Sequence, residues 1–454
     1  MTRFLGIDLG SSFIKAAVLD LDEGRILASS SCPAPDFIST SGPEREIPVD
    51  ELAGKAGSLI AQALSQYRLE GIVFSVQMHG FELRVPQGRA VTGYVSWQDM
   101  RAFGFEGGPD TASCIREIAG DGLLKRNGVL LNNSHSLCPL YYLMNEKKPP
   151  LPLGFAMIGD AVIRRLTGKV IPIHPTEAAS TALYDLKARD WNRELLRLLS
   201  LEGIEFPPVS ETREPAAFYR AGNREIPIYL PVGDQQAAVL GCEAGEGDVV
   251  LNIGTGGQIC YVDKELSLGD YETRPFFSGR TIRTLTDLPS GRNLAVLMNL
   301  ILDTGRKIFG LGIEDDSKIW ELAAALALEA EALPARRPLE LDMSFFDASG
   351  GAVKGIAGTN LNAGNLFAAA YRNIADAAYA AFARLGLDER KTVKDIIGAG
   401  GALRRAPLLQ ELIARRFNRP FRLSGHSEDV MSGLLHLGRW HAGLIPGVLC
   451  QPSR

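Results

Sequence analysis

The stretch GIDLGSSFIKA, from Gly6 to Ala16, places two short apolar runs on either side of a glycine-serine turn. Runs of this length joined by small turn residues predict a β-hairpin. A second stretch of the same shape, LNIGTGGQICY, begins at Leu251 and repeats the pattern in the second half of the chain. The aligned positions pair Asp8 with Asn252, Gly10 with Gly254, and Ser11 with Thr255. We therefore expect the two halves of the protein to begin with the same structural unit.

The pattern around the two hairpins predicts an α/β fold. Amphipathic helical segments alternate with short buried strand candidates up to about residue 240. The second half continues with predicted helices at 290–309 and 315–329, further strands, and a last helix from about Ser427. A chain of 454 residues exceeds the size of one ordinary hydrophobic core. The sequence therefore predicts two related α/β domains, residues 1–241 and 242–454. The polar, proline-containing stretch 202–228 is interpreted as a connection rather than as core.

Composition restricts the function classes. The formal charge of −5 offers no basic surface for nucleic acid or for an acidic membrane. No apolar run approaches the roughly 18 residues that span a bilayer. The chain starts directly with a strand pattern, without a signal peptide, and its six cysteines include no CxxC pair. These features predict a cytoplasmic enzyme or binding protein.

The segment PVGDQQAAVLG contains a single acid, Asp234, at the start of a predicted buried helix. The simplest interpretation is a helix N-cap, because aspartate oxygens accept hydrogen bonds from unpaired N–H groups of the first turn. A carboxylate held there by small apolar neighbours could instead accept a proton in catalysis. Gln235 and Gln236 could bind hydroxyl groups or brace the loop. The local sequence leaves these alternatives open.

Three glycine-containing turns are candidates for binding phosphate. The tips of the two hairpins offer close backbone approach together with N–H and hydroxyl donors, although neither is a Walker loop and each could be a plain turn. The third, IIGAGGALRRAPLL, begins at Ile396 and has the pattern of a strand, glycines and a helix. Asp8, beside the first tip, would suit Mg²⁺ or could stabilise the turn.

Two polar segments follow predicted buried strands in the first half. VQMHG contains Gln77 and His79, and SWQDMR contains Asp99 and Arg101, a set suited to a ligand with several hydroxyl groups. Trp97 could supply an apolar wall for such a ligand. The alternatives are an ordinary loop histidine and an exposed Asp99–Arg101 pair of little energetic worth.

Together these segments resemble the FGGY family of carbohydrate kinases, which belongs to the actin/Hsp70-like (ribonuclease H-like) ATPase fold class. The matching segments are GIDLGSSFIKA, QMHG, SWQDMRA, YDLKARDWN, GDQQAAVLG, LNIGTGGQI and GAGGALRRAPLLQ. They occur in the family's order and cover nearly the whole chain. The resemblance implies an α/β fold of two such ATPase domains flanking a central cleft. QMHG with a W-x-D-x-R pattern looks like the ketose kinases, and the Arg–Glu pair of glycerol kinases is missing after QMHG.

The resemblance also implies roles for individual residues. Asp234 corresponds to the catalytic base, and Asp8 with Asp234 to the acids that place Mg²⁺. The positions that correspond to the sugar site are Gln77, Met78, His79, Gly80, Trp97, Asp99 and Asp234. Those that correspond to the two phosphate loops of the ATP site are Gly10, Ser11, Ser12, Lys15, Gly254, Thr255 and Gly256. Those that correspond to the adenosine pocket are Gly400, Gly401 and Ala402.

The activity implied by the resemblance is ATP-dependent phosphorylation of a ketose hydroxyl by a monomer or homodimer. Two segments, VVLNIGTGGQI and RPFFSGRTIRTLTDLPSGRNLA, are more similar to the branch acting on sedoheptulose than to the branch acting on xylulose. Two segments depart from the family: TEAAST replaces SDASGT at Thr176–Thr181, and AGGALRR replaces GGGAxS, which leaves the adenine contacts near Arg404 open. A catalytically weak sugar sensor and a protein-binding ATPase of the actin/Hsp70 kind are the alternatives.

Overall fold

The computed structural model describes residues 1–86, 88–104, 110–333, 337–346, 350–387, 393–426 and 428–449. The strands are β1 (Arg3–Leu9), β2 (Phe13–Asp20), β3 (Arg25–Pro33), β4 (Glu46–Ile47), β5 (Gly71–Val76), β6 (Glu82–Arg84), β7 (Tyr94–Val95), β8 (Leu153–Ala156), β9 (Tyr184–Asp185), β10 (Asp190–Trp191), β11 (Ile204–Glu205), β12 (Ala217–Ala221), β13 (Arg224–Ile228), β14 (Val232–Gly233), β15 (Val249–Ile253), β16 (Gly257–Asp263), β17 (Glu272–Pro275), β18 (Thr281–Leu285), β19 (Glu340–Asp342), β20 (Ala352–Lys354), β21 (Ile396–Ala399) and β22 (Phe421–Leu423). The helices are α1 (Val49–Gln66), α2 (Thr111–Arg126), α3 (Leu137–Glu146), α4 (Ile158–Thr167), α5 (Pro175–Ala178), α6 (Arg193–Leu198), α7 (Asp234–Gly241), α8 (Gly291–Lys307), α9 (Ser317–Ala332), α10 (Ala363–Arg384), α11 (Gly401–Arg405), α12 (Pro407–Phe417) and α13 (Asp429–His441).

The chain forms two compact units. The first contains Met1–Glu243, Asp263–Ile282 and the C-terminal segment from Glu428, and the second contains the remainder. The predicted boundary between the domains, at residues 241 and 242, lies close to Glu243, where the first stretch of the first unit ends. The prediction assigns Asp263–Ile282 and the C-terminal segment from Glu428 to the second domain, whereas both belong to the first unit. Strand β17 and helix α13 therefore belong to the first unit, although they follow it in sequence.

The principal sheet of the first unit is built on the first hairpin. Its strand order is β12–β13–β5–β1–β2–β3, and β14 also pairs with β5. Strand β1 is antiparallel to β2, as the hairpin pattern predicts, and parallel to β5. Side-chain alternation along β1 directs Leu5 and Ile7 into a core shared with α1. Gly6 points the other way, where a Cβ would lie 3.3 Å from Leu434 of α13, so helices cover both faces of this sheet.

The interpretation of residues 202–228 as a connection was wrong. This stretch forms β11, β12 and β13, and the last two form one edge of the principal sheet. Ile226 and Ile228 enter the core, whereas Phe218 is 48% exposed. An edge strand needs only one buried face and tolerates proline, which is why its sequence lacks a continuous apolar run.

A second core of the first unit lies beside the principal sheet's core. It includes the buried aromatic side chains of Phe155, Trp191 and Phe206, whose ring centroids lie 4.8–6.1 Å apart. Phe81 and Leu83 also belong to it, whereas Val76 belongs to the core of the principal sheet. The QMHG segment between them is therefore anchored in a different core at each end.

Helices α7 and α13 cross at two glycines. A Cβ on Gly241 would lie 1.8 Å from the carbonyl oxygen of Asp429, and a Cβ on Gly433 would lie 1.9 Å from that of Ala237. Neither position can hold a side chain without separating the helices. This backbone contact fixes α7 and therefore Asp234, its first residue.

The second unit repeats the strand arrangement of the first. Its sheet includes the strand order β18–β16–β15–β21–β22, in which β15 is antiparallel to β16 and parallel to β21. This is the relation that β1 has to β2 and β5, so the predicted internal repeat is present in the topology. The helices predicted at 290–309 and 315–329 correspond to α8 and α9. The predicted start of the last helix, Ser427, lies outside the described residues, and α13 begins at Asp429.

Within the part of the chain that the structure describes, no helix has the length and apolar character needed to cross a membrane.

Candidate active site

Asp8 and Asp234 lie at the same edge of the first unit's principal sheet. Asp8 is opposite Ser75 in the parallel β1–β5 pair, and Gly233, the residue before Asp234, is opposite Val76 in the parallel β14–β5 pair. Parallel strands bring their carboxyl ends together, so the register places the two carboxylates near each other. The Ser75 hydroxyl donates a hydrogen bond of 3.1 Å to Asp8 Oδ1.

The environment of the two carboxylates raises both pKa values. Burial raises the pKa of Asp8 to about 7, and the negative charge of Asp234 adds to the increase, while Ser75 and Lys15 oppose it. Burial raises the pKa of Asp234 to about 6, and the Gln235 N–H and the Arg274 charge act against it. At neutral pH Asp234 is therefore mostly ionised and able to accept a proton.

The start of α7 shows that Asp234 is not the helix N-cap. Gly233 occupies the N-cap position, and its N–H donates to Thr176 Oγ1 over 3.1 Å. Asp234 is the first helical residue, and its Oδ1 accepts a 2.7 Å hydrogen bond from the N–H of Gln235. The acid is thus held in place by the first turn without capping it.

The first glycine loop connects β1 and β2 next to Asp8. Ser11 and Ser12 are exposed, and a Cβ on Gly10 would lie 2.9 Å from the carbonyl oxygen of Phe13, so this turn requires a glycine. Lys15 lies opposite Asp8 in β2, and its Nζ is 2.7 Å from Glu428 Oε2. Both members of this ion pair are largely exposed, so the pair contributes little to stability and leaves the lysine accessible.

The QMHG segment holds a buried neutral histidine and an unpaired amide. His79 has a left-handed backbone with φ of 60°, and Ser180 fixes it through its hydroxyl, 3.2 Å from the backbone nitrogen, and its carbonyl, 2.7 Å from Nδ1. Burial lowers the pKa of His79 well below its ordinary value. Among the described residues, neither polar atom of the buried Gln77 amide has a hydrogen-bond partner. A Cβ on Gly80 would collide with the Tyr94 ring, which accounts for the glycine.

Arg274 joins the QMHG segment to the start of α7. Its Nη1 donates to Gln235 Oε1 over 2.7 Å and lies 3.8 Å from Met78 Sδ, and its Nη2 lies 3.4 Å from His79 Nε2. Glu272 accepts a 2.9 Å hydrogen bond from Arg274 Nε. The structure therefore assembles sugar-site candidates around a guanidinium in the returning strand β17.

Sequence reasoning missed Arg274 and Glu272. The segment ETRP contains two opposite charges two residues apart, which share one face of a strand. Both residues are nevertheless buried, with exposed fractions of 5% and 6%. The signal that could have identified them is this pair of opposite charges shortly before two phenylalanines, because such an apolar neighbourhood favours burial of the pair. The departing segment TEAAST also contributes, because Thr176 and Ser180 fix Gly233 and His79.

The other predicted sugar residues have different surroundings. Asp99 is buried, and it accepts hydrogen bonds from Arg101 Nε at 2.7 Å, Arg101 Nη2 at 2.8 Å and the N–H of Arg45 at 2.7 Å. The alternative of an exposed Asp99–Arg101 pair is therefore wrong. Trp97 is 40% exposed. Contact of Trp97 and Asp99 with a sugar remains a prediction, and Asp99 already has partners on both oxygens.

The second unit brings its two glycine motifs together. The loop Gly254–Gly256 is held by the start of α8, where the N–H of Gly291 donates to the Gly254 carbonyl at 2.9 Å and the Ser290 hydroxyl to the Thr255 carbonyl at 2.8 Å. The loop thereby has a fixed shape, while Thr255 and Gly256 remain exposed.

The third glycine turn lies against the strand that leads into this loop. Gly400 has φ of 90°, and a Cβ there would lie 2.6 Å from Asn252 Oδ1. Gly401 and Ala402 then begin the short helix α11. Arg404 donates to backbone carbonyl groups just beyond β22, so it helps to hold that segment. The predicted phosphate and adenosine residues of the second half are thus neighbours.

The Asp8–Asp234 pair meets the requirements of a divalent-cation site. The two carboxylates are partly buried, and the charge of Asp234 raises the pKa of Asp8, so a hard cation with oxygen ligands would relieve this repulsion. Across the described ranges, no group of three or more His, Cys, Asp or Glu side chains could hold a metal ion by itself. This suits Mg²⁺, which is usually held by one or two carboxylates with water and substrate phosphates.

Known proteins provide an independent comparison. The N-terminal domain model of the FGGY family of carbohydrate kinases matches residues 3–241. A sugar kinase of Archaeoglobus fulgidus is 27% identical over 55% of this chain and 54% of its own length. The sedoheptulokinase of Homo sapiens is 23% identical over 96% of this chain and 97% of its own length.

Solved structures of similar fold cover nearly the whole chain. A gluconate kinase from Lactobacillus acidophilus matches with a TM-score of 0.81 at 19% identity, over 99% of this chain and 91% of that structure. A xylulose kinase from the same organism matches with a TM-score of 0.80 at 19% identity, over the same shares. The expected two-domain actin/Hsp70-like fold is confirmed by these matches.

Proposed function

The chain belongs to the FGGY family of carbohydrate kinases and is an ATP-dependent sugar phosphotransferase, and from this premise we propose that it phosphorylates a ketose hydroxyl. Sedoheptulose is the first candidate substrate, with sedoheptulose 7-phosphate as the product. Asp234 is the proposed general base. The observation that carries this proposal is the position of Asp234 at the first residue of α7, between Asp8 and the network of Arg274.

Asp234 would take the proton of the attacking hydroxyl on a carboxylate oxygen. Phosphoryl transfer depends mainly on positioning and electrostatics, so a single ionised carboxylate and correct alignment are the main demands on the protein. The Gln235 N–H fixes one carboxylate oxygen. Arg274 keeps the pKa of Asp234 from rising further and holds the Gln235 side chain.

The sugar hydroxyl groups would be recognised beside this base. The unpaired Gln77 amide offers one donor and one acceptor group in a buried position, and a neutral His79 offers a ring nitrogen. Leaving a buried amide unpaired costs about 1–3 kcal/mol, which a bound polyol would recover. A ligand with several hydroxyl groups fits this requirement better than an apolar one.

ATP and Mg²⁺ complete the proposed reaction. Asp8 and Asp234 would hold Mg²⁺, which neutralises phosphate charge when bound. The loops Gly10–Ser12 and Gly254–Gly256, together with Lys15, would bind phosphate oxygens, and Gly400–Ala402 would contact adenosine. Each loop presents exposed backbone or hydroxyl groups in a shape fixed by hydrogen bonds or a close backbone contact. We further propose that the enzyme acts in the cytoplasm as a monomer or homodimer.

The substrate assignment has a second candidate, xylulose. Sedoheptulose is favoured because the human sedoheptulokinase aligns over 96% of this chain. Xylulose is supported by the overall fold match to a xylulose kinase. A kinase screen with ATP and Mg²⁺ should include sedoheptulose, D-xylulose, D-ribulose, L-ribulose, gluconate and glycerol. Fastest turnover of sedoheptulose is expected, and clear preference for a pentulose would select the second candidate.

Asp234→Asn tests the base directly. Loss of a positioned base is expected to lower kcat by about 10²–10⁴-fold. Asp36→Asn, which changes an exposed carboxylate, is the matched control and should retain full activity. Near-normal kcat in folded Asp234→Asn would remove this residue from the role. Ketose binding by the wild type without any ADP formation would instead support the sensor alternative.

A further inference from the structure

A cavity of about 500 Å³ lies in the first unit, lined by residues at the end of β6, in the turn that follows and in the last turn of α4. Its lining includes four arginines, Arg84, Arg89, Arg164 and Arg165, and one acid, Asp50. None of these residues belongs to the candidate active site. Its volume is within the range of roughly 300–1,000 Å³ of small-ligand sites.

Glu82 holds two of these arginines in fixed positions. It accepts hydrogen bonds from Arg165 Nη2 at 2.7 Å and Nη1 at 3.0 Å, and it also pairs with Arg84. Arg165 Nε donates to Asp50 over 2.7 Å. Arg84 and Arg165 are therefore the rigid frame of the cavity, and their charges are largely balanced.

The other two arginines have no such balance. Among the described residues, neither Arg89 nor Arg164 forms a side-chain hydrogen bond or an ion pair. Gly88 has φ of 93°, and a Cβ there would lie 2.9 Å from Arg164 Nη2. The missing side chain therefore leaves the guanidinium accessible. Asp160, one turn before Arg164, accepts a hydrogen bond from the N–H of Met157 instead, and burial raises its pKa well above its ordinary value.

The charges around the cavity sum to a positive excess. Four guanidinium groups face the carboxyl groups of Asp50 and Glu82, so the arginines at the cavity outnumber these acids. Helix-dipole stabilisation accounts for arginines in the last turn of α4. It does not account for the hairpin that brings Arg84 and Arg89 to the same place.

We propose that this cavity binds a phosphate-bearing small molecule, with Arg89 and Arg164 as its direct ligands. Guanidinium groups bind phosphate oxygens through paired N–H donors and remain charged at any working pH. Glu82 lies three residues after His79 in sequence, so this site and the QMHG segment share one stretch of chain. The site is thus placed to report on the concentration of a phosphorylated metabolite.

The test compares two double variants that remove the same charge. Isothermal titration is performed with pyrophosphate and, separately, with fructose 6-phosphate, while a non-hydrolysable ATP analogue saturates the nucleotide site. Arg89→Gln with Arg164→Gln removes the proposed ligands. Arg25→Gln with Arg220→Gln removes two arginines outside the cavity, whose side chains are 61% and 83% exposed. Thermal unfolding confirms that both proteins are folded.

The expected result is one bound anion per chain in the wild type. The Arg89/Arg164 variant should bind it at least about tenfold more weakly, because its charge-assisted hydrogen bonds to the phosphate oxygens are lost. The Arg25/Arg220 variant should bind within about twofold of the wild type, because distant exposed charges are screened. Tighter binding of fructose 6-phosphate would identify a phosphate ester as the ligand, and tighter binding of pyrophosphate an inorganic phosphate. Equal binding by both double variants, or no binding by the wild type, would overturn the proposal.

Discussion

Gly433→Ala tests whether the contact between α7 and α13 positions Asp234, the proposed catalytic base. The added Cβ would stand 1.9 Å from the carbonyl oxygen of Ala237. Non-bonded carbon and oxygen atoms need about 3 Å or more, so the two helices must separate by about 1 Å. Because α7 begins with Asp234, that shift is transmitted to the carboxylate.

Gly433→Ala should change both the free energy of unfolding and kcat, and two opposing effects determine the change in stability. Overpacking of this kind costs about 1–3 kcal/mol, and the better helix propensity of alanine returns up to about 1 kcal/mol. We expect a net loss of about 1–2 kcal/mol in the free energy of unfolding. Displacement of a catalytic group by about 1 Å lowers the rate by about 10²-fold, so kcat should fall far more than the loss of folded protein explains.

The assay measures kcat on the best sugar together with urea unfolding. Gly54→Ala is the matched control, since Gly54 is an exposed residue inside α1 and a Cβ there meets no atom within 4 Å. This control should keep its kcat and gain up to about 1 kcal/mol of stability. A folded Gly433→Ala protein with kcat within about threefold of the wild type would refute the reasoning, because a 1 Å displacement would then be catalytically harmless.

Three further predictions concern the candidate active site. Arg274→Gln should move the acid limb of the kcat/KM profile to higher pH, because the Arg274 charge lowers the pKa of Asp234; an unchanged limb would exclude this role. Asp8→Asn should abolish activity yet stabilise the protein at pH 8 on the order of 1 kcal/mol. Folding raises the pKa of Asp8 from its ordinary value of 3.8 to about 7, so the stability of the wild type falls as the pH rises from 4 to 7. The advantage of the variant should therefore vanish near pH 4 in urea titrations. Gln77→Leu should raise KM for the sugar about tenfold or more without lowering the unfolding free energy, because it removes a buried unpaired amide.

Local patterns were sufficient to predict much of the fold. In each hairpin the apolar runs and the small turn residues that join them lie close together in sequence. Both hairpins form, with their two strands antiparallel. The start of α7 was predicted for the same reason, although Gly233 rather than Asp234 is its N-cap. Such features depend on neighbours in sequence and can be read from it.

Features that depend on distant packing could not be predicted in this way. Nothing in the periodicity of Asp429–His441 indicates that this helix packs on the first unit, because an apolar face does not specify its partner. Arg274 acts through Gln235, a residue 39 positions away. The alternative of an exposed Asp99–Arg101 pair assumed that nearby opposite charges stay in water, yet four hydrogen bonds from Arg101 and Arg45 compensate the burial of Asp99.

The discontinuity of the first unit has a consequence for biosynthesis. Ribosomes release α7 early, but its glycine face has no partner until Asp429–His441 has also emerged. The nascent chain must therefore keep one face of the complete principal sheet uncovered while the residues up to Asp429 are made. A stop codon shortly before this last helix would preserve every motif of the reaction and still yield an inactive polypeptide.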